Sequence, residues 1–280
     1  MELSGRLFTY NIAKRLTAFE SGVLNSNKTI IFVGGLGDGY SAVPYLPLLN
    51  EKIEKLGYSL IQIQMTSSYV GYGNVTLSED ASELDDLISY LKQVKRKQVI
   101  FIIGHSTGCQ DCYWHNKYGK NKKDVNGYIL QAPVSDREYG MAMDPNFADQ
   151  VNYAKKMIDE GNGSEWMPKS MSENPITANR FYSLGAYRGQ DDVFSTDLSD
   201  EDLKELYKDL NQPMMLLHGE DDECYGSAVP KIDILKRIQA FCPSILKIGI
   251  ISKADHSISL PPSQTIFIDM IVDFITLLTK

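Results

Sequence analysis

Val99-Ile100-Phe101-Ile102-Ile103-Gly104-His105-Ser106-Thr107-Gly108 decides how this chain is read. The apolar, β-branched run predicts a buried strand, and a helical pattern begins directly after the Gly-x-Ser-x-Gly that closes it. A turn of that kind lifts a serine hydroxyl above the end of a sheet, because small neighbours let the backbone fold back tightly. The alternative is a tight βα turn that merely contains serine, and the strand before and helix after the motif argue against it. Ser106 is therefore the candidate nucleophile.

Strand-like runs recur outward from this point. They are Thr29–Val33 and Ser59–Ile63 before it, then Gly127–Leu130, Met214–Leu217 and Leu246–Ile250 after it. Helical patterns separate them. In Ser78–Gln93, for example, Ala81, Leu84, Leu87, Ile88 and Leu91 recur on one face, with Ser78 placed to cap the helix N-terminus. Leu7–Glu20 is expected to add an antiparallel hairpin at one edge. Continuous apolar strands alternating with helices predict an α/β fold with a mostly parallel sheet covered on both faces. The alternation stops after Pro133. From Arg137 to about Gln212 there are helical stretches (146–160 and 200–210) and an aromatic, turn-rich middle, so residues 137–211 are expected to form an inserted helical lid. Residues 1–136 and 212–280 are expected to form the core.

A serine hydroxyl needs a base within hydrogen-bond reach, and the base needs a partner that fixes its tautomer. The chain has four histidines. His105 lies inside the elbow and should point away from Ser106, His115 falls on the following helix, and His218 ends a strand. His256 lies in the loop after the last strand, which makes it the candidate base. The acid should follow the strand before that, where His218-Gly219-Glu220-Asp221-Asp222-Glu223 offers a run of carboxylates. Spacing from Gly219 selects Asp222, with Asp221 as the alternative. The order Ser106, Asp222, His256 is that of the α/β-hydrolases. Two backbone N–H groups must also face the developing oxyanion. Thr107 should supply one, and the Gly34–Gly39 loop the other, through Leu36 or alternatively Gly35. That loop lacks the spacing and the lysine of a phosphate-binding loop.

Composition narrows the compartment and the partners. Over 280 residues the net charge is −8, with 43% hydrophobic and 23% charged residues, which predicts a soluble globular protein and argues against nucleic acid as a partner. No segment reads as a membrane span, since Ile266–Leu278 is short and interrupted by Asp269 and Asp273. Met1–Arg6 lacks the apolar core of a signal peptide, so a cytoplasmic protein is expected. Cys109-x-x-Cys112 with His115 invites a redox or zinc reading, but the trio shares one helix and no second ligand pair exists, so buried structural thiols are expected. No metal or organic cofactor is required.

Several longer blocks carry a family resemblance: Phe32–Gly39 (FVGGLGDG), Ser67–Gly73 (SSYVGYG), Gly104–Asp111 (GHSTGCQD), Gln131–Glu138 (QAPVSDRE), Phe194–Asp200 (FSTDLSD) and His218–Glu223 (HGEDDE). The chain resembles, over nearly its whole length, an α/β-hydrolase family that includes the fungal fusarinine C (siderophore) esterases. The resemblance implies the α/β-hydrolase fold and a serine hydrolase with Ser106, Asp222 and His256 as its triad. The expected substrate is a carboxylic ester, either of siderophore type or a small acyl ester. Thioester hydrolysis, acyl transfer with the same parts, or an inactive binding protein are the alternatives. Gly35, Tyr69 of the Ser67–Gly73 loop and Trp166 of the inserted segment are expected to shape the substrate pocket. The chain departs from its relatives at Cys224–Pro230, just beyond the acid.

Overall fold

In chain order the computed structural model, which describes residues 2–280, begins with β1 (Gly5–Asn11) and β2 (Leu16–Gly22), an antiparallel hairpin. There follow β3 (Lys28–Val33), α1 (Leu46–Glu54), β4 (Ser59–Ile63), α2 (Leu77–Gln93), β5 (Val99–His105), α3 (Gly108–Tyr118) and β6 (Gly127–Gln131). Next come four helices, α4 (Asp136–Met143), α5 (Phe147–Asp159), α6 (Ala178–Gly185) and α7 (Asp200–Tyr207). The chain closes with β7 (Met214–Gly219), α8 (Lys231–Phe241), β8 (Ile245–Ile251) and α9 (Pro261–Leu278). No helix among the described residues is long and apolar enough to cross a membrane.

The eight strands form one sheet in the order β1-β2-β4-β3-β5-β6-β7-β8. The strands from β4 to β8 pair in parallel, and the hairpin joins antiparallel through β2 and β4. Period-two geometry divides the apolar residues between two cores. Ile31, Val33, Ile100 and Ile102 face α2, α3 and α8, while Ile30, Phe32, Phe101 and Ile103 face α1 and α9. Both faces are thus covered, which is why β3 and β5 are apolar at nearly every position rather than alternating.

Several elements differ from the sequence expectation. The cap of α2 is Thr76, not Ser78. Thr76 Oγ1 accepts from the Glu79 N–H and the Glu79 carboxylate accepts from the Thr76 N–H, so Thr-x-x-Glu satisfies two orphan donors where Ser78-x-x-Ala81 could satisfy only one. The short helix α6 lies in the middle stretch read as turn-rich, α4 precedes the first predicted helical stretch, and each starts from a side-chain cap, Ser135 for α4 and Thr177 for α6. Between β6 and β7 the one bridge outside the helices joins Trp166 and Thr177, and Ala154, Met167, Ile176, Ala178 and Leu184 form a small core of their own there.

One buried ion pair ties the hairpin to the sheet. Glu20 on β2 and Lys97 before β5 are both fully buried, 2.6 Å apart, and Lys97 Nζ also donates to the Ser26 carbonyl and Ser59 Oγ. The Lys97–Glu20 contact is ionic without hydrogen-bond alignment, while Lys95 Nζ donates to the other Glu20 oxygen at 3.0 Å.

Candidate active site

Ser106 sits between β5 and α3 with φ at +53°, the left-handed region that a non-glycine residue rarely adopts. Three glycines make the turn possible. A Cβ at Gly104 would lie 2.3 Å from the Gly108 carbonyl, and one at Gly108 would lie 2.6 Å from the carbonyls of Val33 and Gly34. A Cβ at Gly35 would lie 2.7 Å from Ser106 Cβ and 3.3 Å from its Oγ. The strained serine is therefore clamped between the two loops rather than resting on one.

His256 and Asp222 reach this serine from the other half of the chain. Ser106 Oγ donates to His256 Nε2 at 2.9 Å, and His256 Nδ1 donates to Asp222 Oδ1 at 2.8 Å. Asp222 is buried whereas Asp221 is exposed, so between the two candidates only Asp222 meets the imidazole. Cys224 N–H also donates to Asp222 Oδ1, and the Glu223 carboxylate accepts from the His256 N–H. Asp222, Cys224 and His256 could together offer a metal three donor atoms lying within 4.8 Å of one another, though the imidazole and carboxylate already bond each other.

Electrostatics set the protonation states. Burial pulls His256 down, but the Asp222 carboxylate outweighs it, with Glu223 and Asp136 adding to the effect, and the imidazole lies above its ordinary 6.5. Burial pushes Asp222 up, but the His218 and His256 imidazoles outweigh it and hold the carboxyl well below the ordinary carboxylate range. His218 Nδ1 stands 3.8 Å from Asp222 Oδ2, too far for a hydrogen bond, and neither atom has another partner. His105 points away from Ser106, its Nδ1 2.6 Å from Gln131 Oε1, and burial together with the nearby His256 pushes it down to about 4. His115 is buried between Asp85 and Tyr128, and Cys109 and Cys112 are buried free thiols.

The structure separates the two candidate donors of the Gly34–Gly39 loop. The Gly35 N–H is committed to Asp38 Oδ2 at 2.7 Å. No acceptor among the described residues takes the N–H of Leu36 or of Thr107, and both residues line a recess of about 20 Å³ beside the serine. Gly35 lines it as well, with Ser67, Tyr72 and Arg180. Tyr69 and Trp166 do not. Tyr69 rests its ring against Gly39, whose Cβ would fall 2.2 Å from the tyrosine Cζ, and Trp166 is half exposed at its bridge to Thr177. Arg137 and Arg188 are engaged in ion pairs with Asp192 and Asp197, and with Asp202 and Glu205.

Sequence reasoning passed over the residues that hold these groups in place. Gln131, at the end of β6, accepts the Ser106 N–H on its carbonyl, faces His105 through Oε1 and donates from Nε2 to the His256 carbonyl at 2.8 Å. It opens one of the blocks that carried the family resemblance, the one signal that could have drawn attention to it. Asp38, within the oxyanion loop, and Glu223, within the carboxylate run, were given no role of their own.

The chain is similar to known proteins in sequence and in fold. The family model described as "Protein of unknown function (DUF1749)" matches residues 1–278. A UPF0613 protein of Schizosaccharomyces pombe is 32% identical over 281 residues, 89% of each chain. Fusarinine C esterase sidJ of Aspergillus fumigatus is 28% identical over 286 residues, 81% of this chain and 80% of that one. Among solved structures, the siderophore hydrolase EstB from Aspergillus fumigatus superposes with a TM-score of 0.83 at 25% identity, covering 100% of this chain and 98% of that one. The architecture is that of the α/β-hydrolases.

Proposed function

The chain belongs to the DUF1749 family, and from that membership and the site geometry we propose that it is a serine hydrolase of carboxylic esters, with Ser106, His256 and Asp222 as its triad. The observation that carries this reading is the unbroken hydrogen-bond chain from Ser106 Oγ through both imidazole nitrogens to Asp222 Oδ1. Ser106 Oγ attacks the ester carbonyl and its proton passes to His256 Nε2. The N–H groups of Leu36 and Thr107 hold the oxyanion, each worth about 3 kcal/mol in the transition state. Collapse breaks the bond to the alcohol, which leaves with the proton from His256. Water then enters, gives His256 a proton and releases the acid, restoring Ser106. Asp222 keeps the Nδ1–H directed away from the serine and stabilises the imidazolium.

We read residues 137–211 as a lid over the core formed by 1–136 and 212–280. Its small separate core and the Arg180 it contributes to the recess support that reading. The four free cysteines support a cytoplasmic site of action. The similarity to a fusarinine C esterase and a siderophore hydrolase supports a siderophore-type ester over a simple acyl ester.

A fluorophosphonate probe is expected to label the protein, and Ser106→Ala is expected to abolish both labelling and ester turnover, with a loss of at least about 10⁴-fold in kcat. Folded wild-type protein that neither labels nor hydrolyses any ester in a panel spanning acetates to siderophore esters would favour the binding-protein alternative.

A further inference from the structure

We propose that His218 is a positioning residue for the triad: its neutral imidazole carries a proton on Nδ1, aimed at Asp222 Oδ2, and so holds the carboxylate ionised with Oδ1 turned to His256. This rests on the hydrolase reading above and adds a residue to it.

The two oxygens of Asp222 are served unequally. Oδ1 accepts from His256 Nδ1 at 2.8 Å and from the Cys224 N–H at 3.0 Å, so both its lone pairs are occupied. Oδ2 is buried and accepts from no donor among the described residues. His218 Nδ1, equally buried and without a partner, stands 3.8 Å from it. A carboxylate oxygen and a ring nitrogen shut in the interior are costly to leave unmatched, and these two face each other. The gap is too narrow for a bridging water, which would need two bonds of about 2.8 Å. A rotation of either side chain that shortens it by about 1 Å makes a charge-assisted hydrogen bond.

The surroundings fix which nitrogen carries the proton. His218 is 1% exposed at the end of β7, where parallel pairing with Ile250 of β8 anchors its backbone. The Tyr225 ring packs edge-on against the imidazole, with centroids 5.3 Å apart and planes at 71°. The titratable groups that face it are Asp222 and Tyr225 from the following loop, Lys231 on α8, and His256. Burial foremost pushes His218 below its ordinary 6.5 against the pull of Asp222, and Lys231 and His256 add to the push. The ring is therefore neutral at neutral pH and has a single N–H. A bare nitrogen turned to the carboxylate would set lone pair against lone pair, so the proton belongs on Nδ1.

The consequence falls on His256. A donor at Oδ2 stops the carboxylate from turning and keeps it from taking the proton when the imidazolium forms. The two loops are close enough for this control. A Cβ at Gly219 would lie 2.4 Å from the Ala254 carbonyl, so the strand end that carries His218 rests directly on the loop of His256.

The test uses the full chain, an acetate ester and two variants of similar size. In His218→Asn the amide nitrogen falls where the imidazole Nδ1 stood and keeps the donor, whereas His218→Leu removes it. His218→Leu is expected to lower kcat by about 10–10²-fold and to leave KM within about 2-fold. It should also move the acid limb of the rate to higher pH, because Asp222 relieved of a donor draws the His256 proton more strongly. His218→Asn is expected to recover most of kcat and the wild-type midpoint, an order that a side chain acting only as filler would not produce. Should His218→Leu not fold, wild-type protein carrying isotope-labelled histidine answers directly. Its ring-nitrogen NMR spectrum at neutral pH is expected to show His218 as the Nδ1–H tautomer. In an active, fluorophosphonate-labelled protein, a proton on Nε2 of His218, an unmoved pH midpoint in His218→Leu, or a His218→Asn no faster than His218→Leu would overturn the role of His218 alone. A wild type that neither labels nor turns over any ester would bring down the hydrolase reading and this role with it.

Discussion

Gly35 has no side chain to give, and the position tolerates none. Its Cβ would press on Ser106 from 2.7 Å, so Gly35→Ala is expected to displace the proposed nucleophile and lower kcat by about 10²-fold, measured by steady-state hydrolysis of an acetate ester. At Asp222 the expected effect reaches the pH profile. His256 acts as a base only when neutral, and its pKa lies above 6.5. The rate should therefore fall as pH drops through a midpoint above that value. Asp222→Asn removes the group that raises His256, so that limb should move to lower pH while kcat falls by about 10⁴-fold. Asp221→Asn, on an exposed neighbour, should alter neither. Ser106, His256 and Asp222 were legible because order along the chain and adjacency to strand ends mark them. Asp38, Gln131 and Glu223 were not, because each acts through hydrogen bonds made across the fold, and a common polar residue carries no local sign of such a partner.

Local pattern marks the body of an element better than its ends. β5 extends through Gly104 and His105, and β7 through His218 and Gly219, because the parallel ladders there continue to pair residues that are not apolar. A hydrophobic run ends before its hydrogen bonds do. The helix start at Thr76 was missed for a related reason, since a cap is defined by two reciprocal bonds and not by the first polar residue of a stripe. Thr76→Ala is expected to cost about 1 kcal/mol in chemical denaturation, and Ser78→Ala less than about 0.5 kcal/mol. The eight-residue helices α4 and α6 were invisible because their starts depend on single capping hydroxyls and their burial on contacts with other helices.

Across the whole molecule, alternation of strand and helix made the parallel, two-faced sheet legible. It left open the insertion of β4 between β2 and β3, because strand order depends on crossovers that leave no periodicity. The Glu20–Lys97 pair spans this part of the sheet. Lys97→Met would leave the buried Glu20 carboxylate with Lys95 alone and is expected to cost about 3 kcal/mol in urea unfolding, with most of the loss recovered in Glu20→Leu/Lys97→Met. Burial raises Glu20, but Lys97 and Lys95 outweigh it and hold it below its ordinary 4.5. The stability it contributes is therefore present above that pH and is lost on acidification. Gln131 has a consequence of another kind. It gathers the loop of Ser106 and the loop of His256, 150 residues apart, onto one strand end. A ribosome that has released everything through β6 has delivered Ser106 without its imidazole partner. On the proposed mechanism, turnover awaits the final segment, and an abandoned translation product is inert however well its first strands have settled.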